Sequence, residues 1–537
     1  MNWRKIAASR SLLLIFILAL ALFLRLKGIQ WGLPDSSHSY SYHPDESLIT
    51  RHLSYMSPTS LNPHSFINPS LHFYTFGIVY QGMRLTMGIP SLKGTVPPAD
   101  MARLFLAGRI LTALMGAASI FFFYRIGKRW YGENTALLAA FFLAILPLHV
   151  VHSHFLTVEV PSTFWILIAF IFLSRVGRSA SRWNYVAGGV ASGFAAASKY
   201  TGILCVPAFL LGHLLMHRKS GIKALWDRKA ILYLAVALIT FAFADPYFFL
   251  SPGEVYKDIK ILFATNIQAT HISYPFPLLL VYGLGIPMAI GFLFGAVVAL
   301  RKHETSDIIM LSYIALAFLL IVYAGTPFSR HVVLAAPFIV LIAARGFSFI
   351  FEKHLWAGPA KWIGFGRWIR GIGVTLLAFL SVWTFLYSYG YVHLMAQRDV
   401  RDVAAEWIDS NLPAGVSVGI GKPWFYTPPV NWFRYRIVRT DFDPKQLLSN
   451  KPEYVIITDF EYRKAAYTRR YFAKNYADSE RFVQILEDQD MYGIKMVFEV
   501  TPRVAGLSFK KGYPPDDWMY VYPTIRLLER APKPGLY

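Results

Sequence analysis

Long apolar runs separated by short polar clusters fill the first 390 positions of the chain, and the pattern changes after Tyr391. A helix needs about 20 mostly apolar residues to cross a hydrocarbon core. By that measure, spans are predicted near 11–23, 103–124, 134–151, 160–173, 185–198, 201–216, 230–244, 276–300, 308–324, 332–351 and 371–391. Several are short or contain Gly and Pro, which packed membrane helices tolerate. The first follows Arg4, Lys5 and Arg10. Ala19-Leu20-Ala21 resembles a signal cleavage site, but an uncleaved anchor is the preferred reading, with Arg25 and Lys27 snorkelling to the far interface.

Residues 68–87 are a twelfth apolar stretch, and charge arbitrates. With eleven spans and a cytoplasmic N-terminus, the clusters Arg125/Lys128/Arg129, Arg175/Arg178/Arg182, Arg218/Lys219/Lys223/Arg228/Lys229, Arg301/Lys302 and Lys353/Lys361/Arg367/Arg370 all fall inside. A twelfth crossing would invert them. Residues 68–87 therefore read as an interfacial or re-entrant helix within a first outer loop, 27–102.

Beyond Tyr391, charged residues alternate with short apolar strings at 416–420, 454–458 and 496–500, which read as strands, and 400–408 reads as an amphipathic helix. The expected architecture is a polytopic α-helical membrane domain over 1–392 and a soluble α/β domain over 393–537, outside by parity. Internal repeats and paired interrupted helices, the mark of many carriers, do not stand out.

Composition agrees. Hydrophobic residues make up 55% and charged residues 16%, against roughly 45–50% and about 25% in globular chains. The net charge of +22 sits in loop clusters, the signature of membrane topology rather than of nucleic-acid binding. A single cysteine, Cys205, excludes an intrachain disulfide and a thiolate metal cluster.

The ionisable residues that are unusual near spans gather on the predicted outer side: Asp45 and Glu46, His152, His154 and Glu159, Lys199 and Tyr200, Asp245 and Tyr247, Arg330 and His331. His43-Pro44-Asp45-Glu46 carries two readings, the start of a helix favoured by proline and the helix dipole, or carboxylates facing a cleft. His152, His154 and Glu159 have a spacing that would ligate a metal, or form a polar interfacial turn. Lys199 and Arg330 either snorkel or hold an anion, for which a phosphate at the membrane surface suits both a point charge and a bidentate fork.

On these residues the chain resembles the GT-C membrane glycosyltransferases, in the branch of protein O-mannosyltransferases and the lipid A aminoarabinose transferase. The likeness covers most of residues 10–350. It is carried by His43-Pro44-Asp45-Glu46, the His154 to Glu159-Val160-Pro161 turn, Gly193 to Lys199-Tyr200, Asp245-Pro246-Tyr247, and Arg330 leading into Val332, Pro337 and Ala343-Ala344-Arg345-Gly346. The resemblance implies catalytic acids at Asp45, Glu46 and Glu159, with Asp45 as base or acceptor-orienting group. It implies donor-phosphate contacts at Lys199 and Arg330, and substrate contacts at Tyr200, His154, Tyr247 and His331. The chain departs from the family in having Glu159 where Asp is commoner, and Arg330-His331 where Arg-Tyr is common. No segment resembles the lumenal repeat domains of eukaryotic members, which favours a prokaryotic inner membrane, with site and C-terminal domain on its outer face.

The implied activity is inverting transfer of a sugar from a polyprenyl (dolichyl or undecaprenyl) phosphate to a protein, lipid or glycan hydroxyl. Glycosidases need one carboxylic acid to protonate a poor leaving group. A polyprenyl phosphate leaves as a stable anion, so one carboxylate and flanking cations suffice. No cofactor is obligatory on this reading, and a divalent metal stays open. A carrier or flippase for a lipid-linked substrate, and a noncatalytic envelope sugar-binding protein, are the alternatives.

Overall fold

The computed structural model describes residues 3–531 except 58, 177–180, 270–275, 325–327, 352–359, 422–423, 442, 460–461, 463–476, 489–490 and 510–513. Arg178 and Lys353, named in the sequence analysis, lie outside the described residues. The chain opens with α1 (Trp3–Leu26), and the first loop carries α2 (Pro44–Tyr55) and α3 (Leu71–Met87). There follow α4 (Pro98–Tyr131), α5 (Glu133–Ile145), α6 (Pro147–His152), α7 (Glu159–Val176), α8 (Arg182–Ser198), α9 (Cys205–Met216) and α10 (Arg228–Ala244). After α11 (Tyr247–Leu250) and α12 (Pro252–Ala269), the bundle resumes with α13 (Phe276–Leu284), α14 (Ile286–Lys302), α15 (Thr305–Ala324), α16 (Ala336–Ile350) and α17 (Ala360–Met395).

Each predicted span contains helix, but not every span is one helix. Five helical stretches among the described residues are long and apolar enough to cross a membrane, or six if the bent pair α13 and α14 counts as one. That pair turns by 110° at Gly285, so the run expected at 276–300 is broken. The run at 134–151 breaks at Pro147, which has no N–H for the carbonyl of Leu143 four residues back. The shorter helices are the most enclosed: α16 is buried from Ala336 to Phe347.

The break before Pro147 also corrects the expectation for Arg25. Its side chain is fully buried and turns into the bundle rather than snorkelling. It donates to the carbonyls of Ala21 (2.9 Å) and Ala144 (3.1 Å) and lies 2.8 Å from His149 Nδ1. Lys27 instead rests over the Tyr389 ring.

Beyond Met395 come α18 (Val400–Asn411), β1 (Ser417–Ile420), β2 (Arg436–Arg439), α19 (Pro444–Asn450), β3 (Tyr454–Thr458), α20 (Ala477–Glu487), β4 (Tyr492–Phe498), the ribbon β5 (Arg503–Val504) and β6 (Leu507–Ser508), α21 (Asp516–Met519) and β7 (Ile525–Arg530). The five-stranded sheet runs β2-β1-β3-β7-β4, with β1 parallel to β2 and β3, and β7 antiparallel to β3 and β4. β1 and β3 are buried on both faces, which explains their unbroken apolar strings. Ile420, Ile456 and Leu527 pack with Val400, Ala404 and Ile408 of α18, whereas Val455, Ile457 and Leu528 pack with Leu447 of α19 and Phe482 of α20.

The sheet region is tied to the bundle by buried side chains. Trp518 of α21 lies in the main helical core, stacked on Tyr387 and edge-on to Tyr391 of α17, and Tyr522 lies 2.7 Å from Tyr391, hydroxyl to hydroxyl. Arg401 of α18 is buried over the Tyr42 ring (3.8 Å) and pairs with Asp399, which accepts from Trp31 Nε1 (2.8 Å).

Candidate active site

Four loops bring charge to one place. His43 caps α2 by accepting the Asp45 N–H on Nδ1 (3.3 Å), with Pro44 in the first turn. Burial pushes the His43 imidazole down to about 4, which keeps it neutral and able to accept. The helix-start reading of this motif therefore holds, and the same geometry holds Asp45 at the head of α2, where the dipole favours a carboxylate.

Glu159 opens α7 and Lys199 closes α8. The turn after Lys199 is tight: the Gly202 N–H donates to the Lys199 carbonyl (2.7 Å), and a Cβ at Gly202 would stand 2.2 Å from the Ala195 carbonyl oxygen. Only glycine fits there. Lys199 Nζ consequently reaches back to donate to Glu159 Oε1 at 2.8 Å.

Arg330 lies in a 3-10 turn, Ser329–Val332, ahead of α16. Its guanidinium ion-pairs with Asp45, stands 3.9 Å from Glu159 Oε1, and lies over the Phe328 ring at 4.4 Å. The result is a chain of alternating charge, Asp45, Arg330, Glu159, Lys199. Its buried end is Lys199 and Glu159; its open end is Asp45, whose side chain is 36% exposed.

The other expected site residues divide. His331 stays beside the cluster, where burial and the Lys199 and Arg330 charges push its imidazole down to about 3, so it adds no third cation. Tyr200 donates to the Phe66 carbonyl (3.1 Å), and Tyr247 accepts from the Leu61 N–H (3.3 Å); both strap the loop between α2 and α3 rather than touch the charge chain. Asp245 serves that strap too, accepting from Ser70, and burial raises its carboxyl to about 6.

Two further expected site residues lie away from the charge chain. Glu46, placed among the catalytic acids, is fully buried in a bidentate pair with Arg109 of α4 (2.8 and 2.7 Å), and also accepts from the Leu156 N–H (2.8 Å) and Ser41. Burial would raise this carboxyl, but Arg109 outweighs it and holds Glu46 below the usual range. Its oxygens are occupied and face away from solvent. His154, expected to contact substrate, is buried between the Val150 and Lys27 carbonyls (2.8 and 2.9 Å), and burial pushes it down to about 4.

Three residues of the site escaped the sequence reading. Arg109 had a signal: an arginine within an apolar span requires a buried partner. Asp517 and Trp518 had none. Asp517 accepts from the backbone N–H groups of Ser329 (3.1 Å) and Arg330 (2.7 Å) and from Ser329 Oγ (3.0 Å), and lies 3.3 Å from His152 Nε2. Burial would raise its carboxyl, but His152, Arg330 and these donors hold it low. Trp518 Nε1 donates to Ser329 Oγ (2.6 Å). His152 thus serves Asp517, and no group of three or more His, Cys, Asp or Glu among the described residues is placed to hold a metal. A cavity of about 450 Å³ between the 28–38 turn and residues 395–402 is lined by Gln30, Asp35, His38, Arg398 and Asp402, and by none of the charge chain.

Residues 102–246 match the sequence model of the family described as dolichyl-phosphate-mannose-protein mannosyltransferase. That stretch holds Arg109, Glu159 and Lys199, but not Asp45 or Arg330. No curated protein sequence matches. Among solved structures, the chain is similar to the Archaeoglobus fulgidus oligosaccharyltransferase, at 14% identity over 95% of this chain and 74% of that one, with a TM-score of 0.49. It is also similar to ArnT from Cupriavidus metallidurans bound to undecaprenyl phosphate, at 14% identity over 97% and 98%, with a TM-score of 0.48. Over residues 102–246, the resemblance to membrane glycosyltransferases read from the sequence is borne out by the family match.

Proposed function

We propose that the protein transfers a sugar from a polyprenyl-phosphate carrier to an acceptor hydroxyl at the outer face of the membrane, with inversion. The observation that carries this reading is the chain of alternating charge from Asp45 through Arg330 and Glu159 to Lys199. An entering phosphate exchanges with the carboxylates for Arg330 and Lys199, so two cations already held in place receive the new anion. Asp45, released from Arg330, then takes the acceptor proton. The acceptor oxygen bonds to the anomeric carbon from the side opposite the phosphate, whose C–O bond breaks with both electrons going to the phosphate. Glu159 is too enclosed to serve as that base and holds the cations in place until the phosphate arrives. The acceptor is a protein, lipid or glycan hydroxyl.

With the phosphate charge balanced by two side chains, no divalent ion is required. Deletion of the gene is expected to leave the unused lipid-linked sugar accumulated, and mass spectrometry of the envelope lipids then names the donor. With that donor, Lys199→Ala and Arg330→Ala each lose about 10- to 150-fold in transfer, the cost of a charge-assisted contact of roughly 1.5–3 kcal/mol, and chelators change nothing. Unchanged donor kinetics in both variants would remove the phosphate assignment.

A further inference from the structure

We propose that Asp517, contributed by the sheet region, is a positioning residue that sets the guanidinium of Arg330 for the donor phosphate; this rests on the phosphate reading of Arg330. The Asp517 carboxylate takes two successive backbone N–H groups, of Ser329 and Arg330, and the Ser329 hydroxyl, while the neighbouring Trp518 indole closes on the same hydroxyl. Three hydrogen bonds donated by Ser329 and Arg330 to Asp517, and one accepted by Ser329 from Trp518, therefore hold the backbone that carries the Arg330 side chain. On its other side the carboxylate abuts His152 at the end of α6. The turn Ser329–Val332 is a single 3-10 turn with too few internal bonds to fix itself, so its conformation follows from what grips it. Asp517 and Trp518 are almost wholly buried, and Trp518 is fastened to Tyr387 and Tyr391 of the last long helix. The grip is therefore rigid, and the sheet region completes a phosphate site whose cations lie on the bundle.

The sign of the effect separates positioning from charge. Asp517 is itself an anion near Arg330, so removing its charge alone would strengthen phosphate binding. Positioning predicts the reverse.

The test uses the full chain in lipid nanodiscs, with undecaprenyl phosphate as probe and undecaprenol, which lacks the phosphate, as control. Asp517→Asn, which keeps the size but withdraws the charged acceptor, is expected to weaken undecaprenyl phosphate binding roughly ten-fold. It leaves undecaprenol binding unchanged, and the double variant Asp517→Asn/Arg330→Ala binds no worse than Arg330→Ala alone. Tighter phosphate binding, equal losses for both lipids, or losses that multiply in the double variant each overturn the proposal. Should Asp517→Asn not insert, Trp518→Phe removes one donor while keeping the aromatic packing; it is expected to show a loss of about three-fold confined to the phosphate lipid, and no such loss overturns the proposal as well. If Arg330→Ala itself leaves the phosphate preference intact, the phosphate reading falls and this inference with it; if only the Asp517 and Trp518 arms fail, the phosphate reading stands.

Discussion

Asp45 and Glu46 are neighbours in sequence with opposite fates. Successive helical positions diverge by about 100° around the axis, so only one of two adjacent acids faces a given direction. Here Glu46 meets Arg109 inside the bundle and Asp45 meets Arg330 at its open edge. The sequence made both acids candidates because the residue that claims Glu46 is 63 positions away. The chemistry of a general base fits the acid that keeps contact with solvent. Asp45→Asn preserves size and most hydrogen bonding but cannot take a proton, and a positioned base contributes about 10²- to 10⁴-fold. Transfer is expected to fall by that range while donor lipid binds at least as tightly as before, since the carboxylate no longer competes for Arg330. Near-native turnover with purified donor and acceptor would reject Asp45 as the base.

At the scale of elements, α2 is held to α4 by one buried ion pair whose every group is satisfied. Arg109 gives Nε and Nη2 to Glu46, Nη1 to the carbonyls of Ile29 and Trp31, and a second Nη2 proton to Ser41. Breaking such a pair by removing one partner leaves a buried charge alone and costs about 3–5 kcal/mol. Arg109→Met is expected to lower the thermal stability of the purified protein by that amount, and Arg109→Met/Glu46→Gln to recover part of it. Additive losses in the double variant would show that the two side chains do not act as a pair. The position of apolar helices, the strands at 417–420 and 454–458 and the helix at 400–411 were legible because each rests on local periodicity. The breaks at Pro147 and Gly285 were less so, since an apolar run reads the same whether the helix within it is straight or bent by 110°.

For the whole molecule, the orientation expected from the basic clusters is open to direct test. The eleven-span reading, with the N-terminus inside, expects them all to face the cytoplasm and Asp45, Lys199, Arg330 and the sheet region to share the other side. Reporter fusions at Lys223 and Tyr537 are expected to report cytoplasmic and outer locations respectively. A cytoplasmic signal at Tyr537 would end the eleven-span arrangement. Most of the charge chain was legible, because ionisable residues at span ends are rare enough to notice. Asp517 was not, because an acid in a polar region carries no such mark and its partners are nearly 190 positions away.

The clamp of Asp517 on the Ser329–Arg330 turn bears on how the protein matures. Bundle segments fold as they leave the ribosome, N-terminal ones first. Asp45, Glu159, Lys199 and Arg330 are all made well before residue 517, so the nascent chain can pair Arg330 with Asp45 before the grip on its backbone exists. On the proposed role of Asp517, the nascent chain gains its phosphate site only once that residue has been made and has docked on the turn.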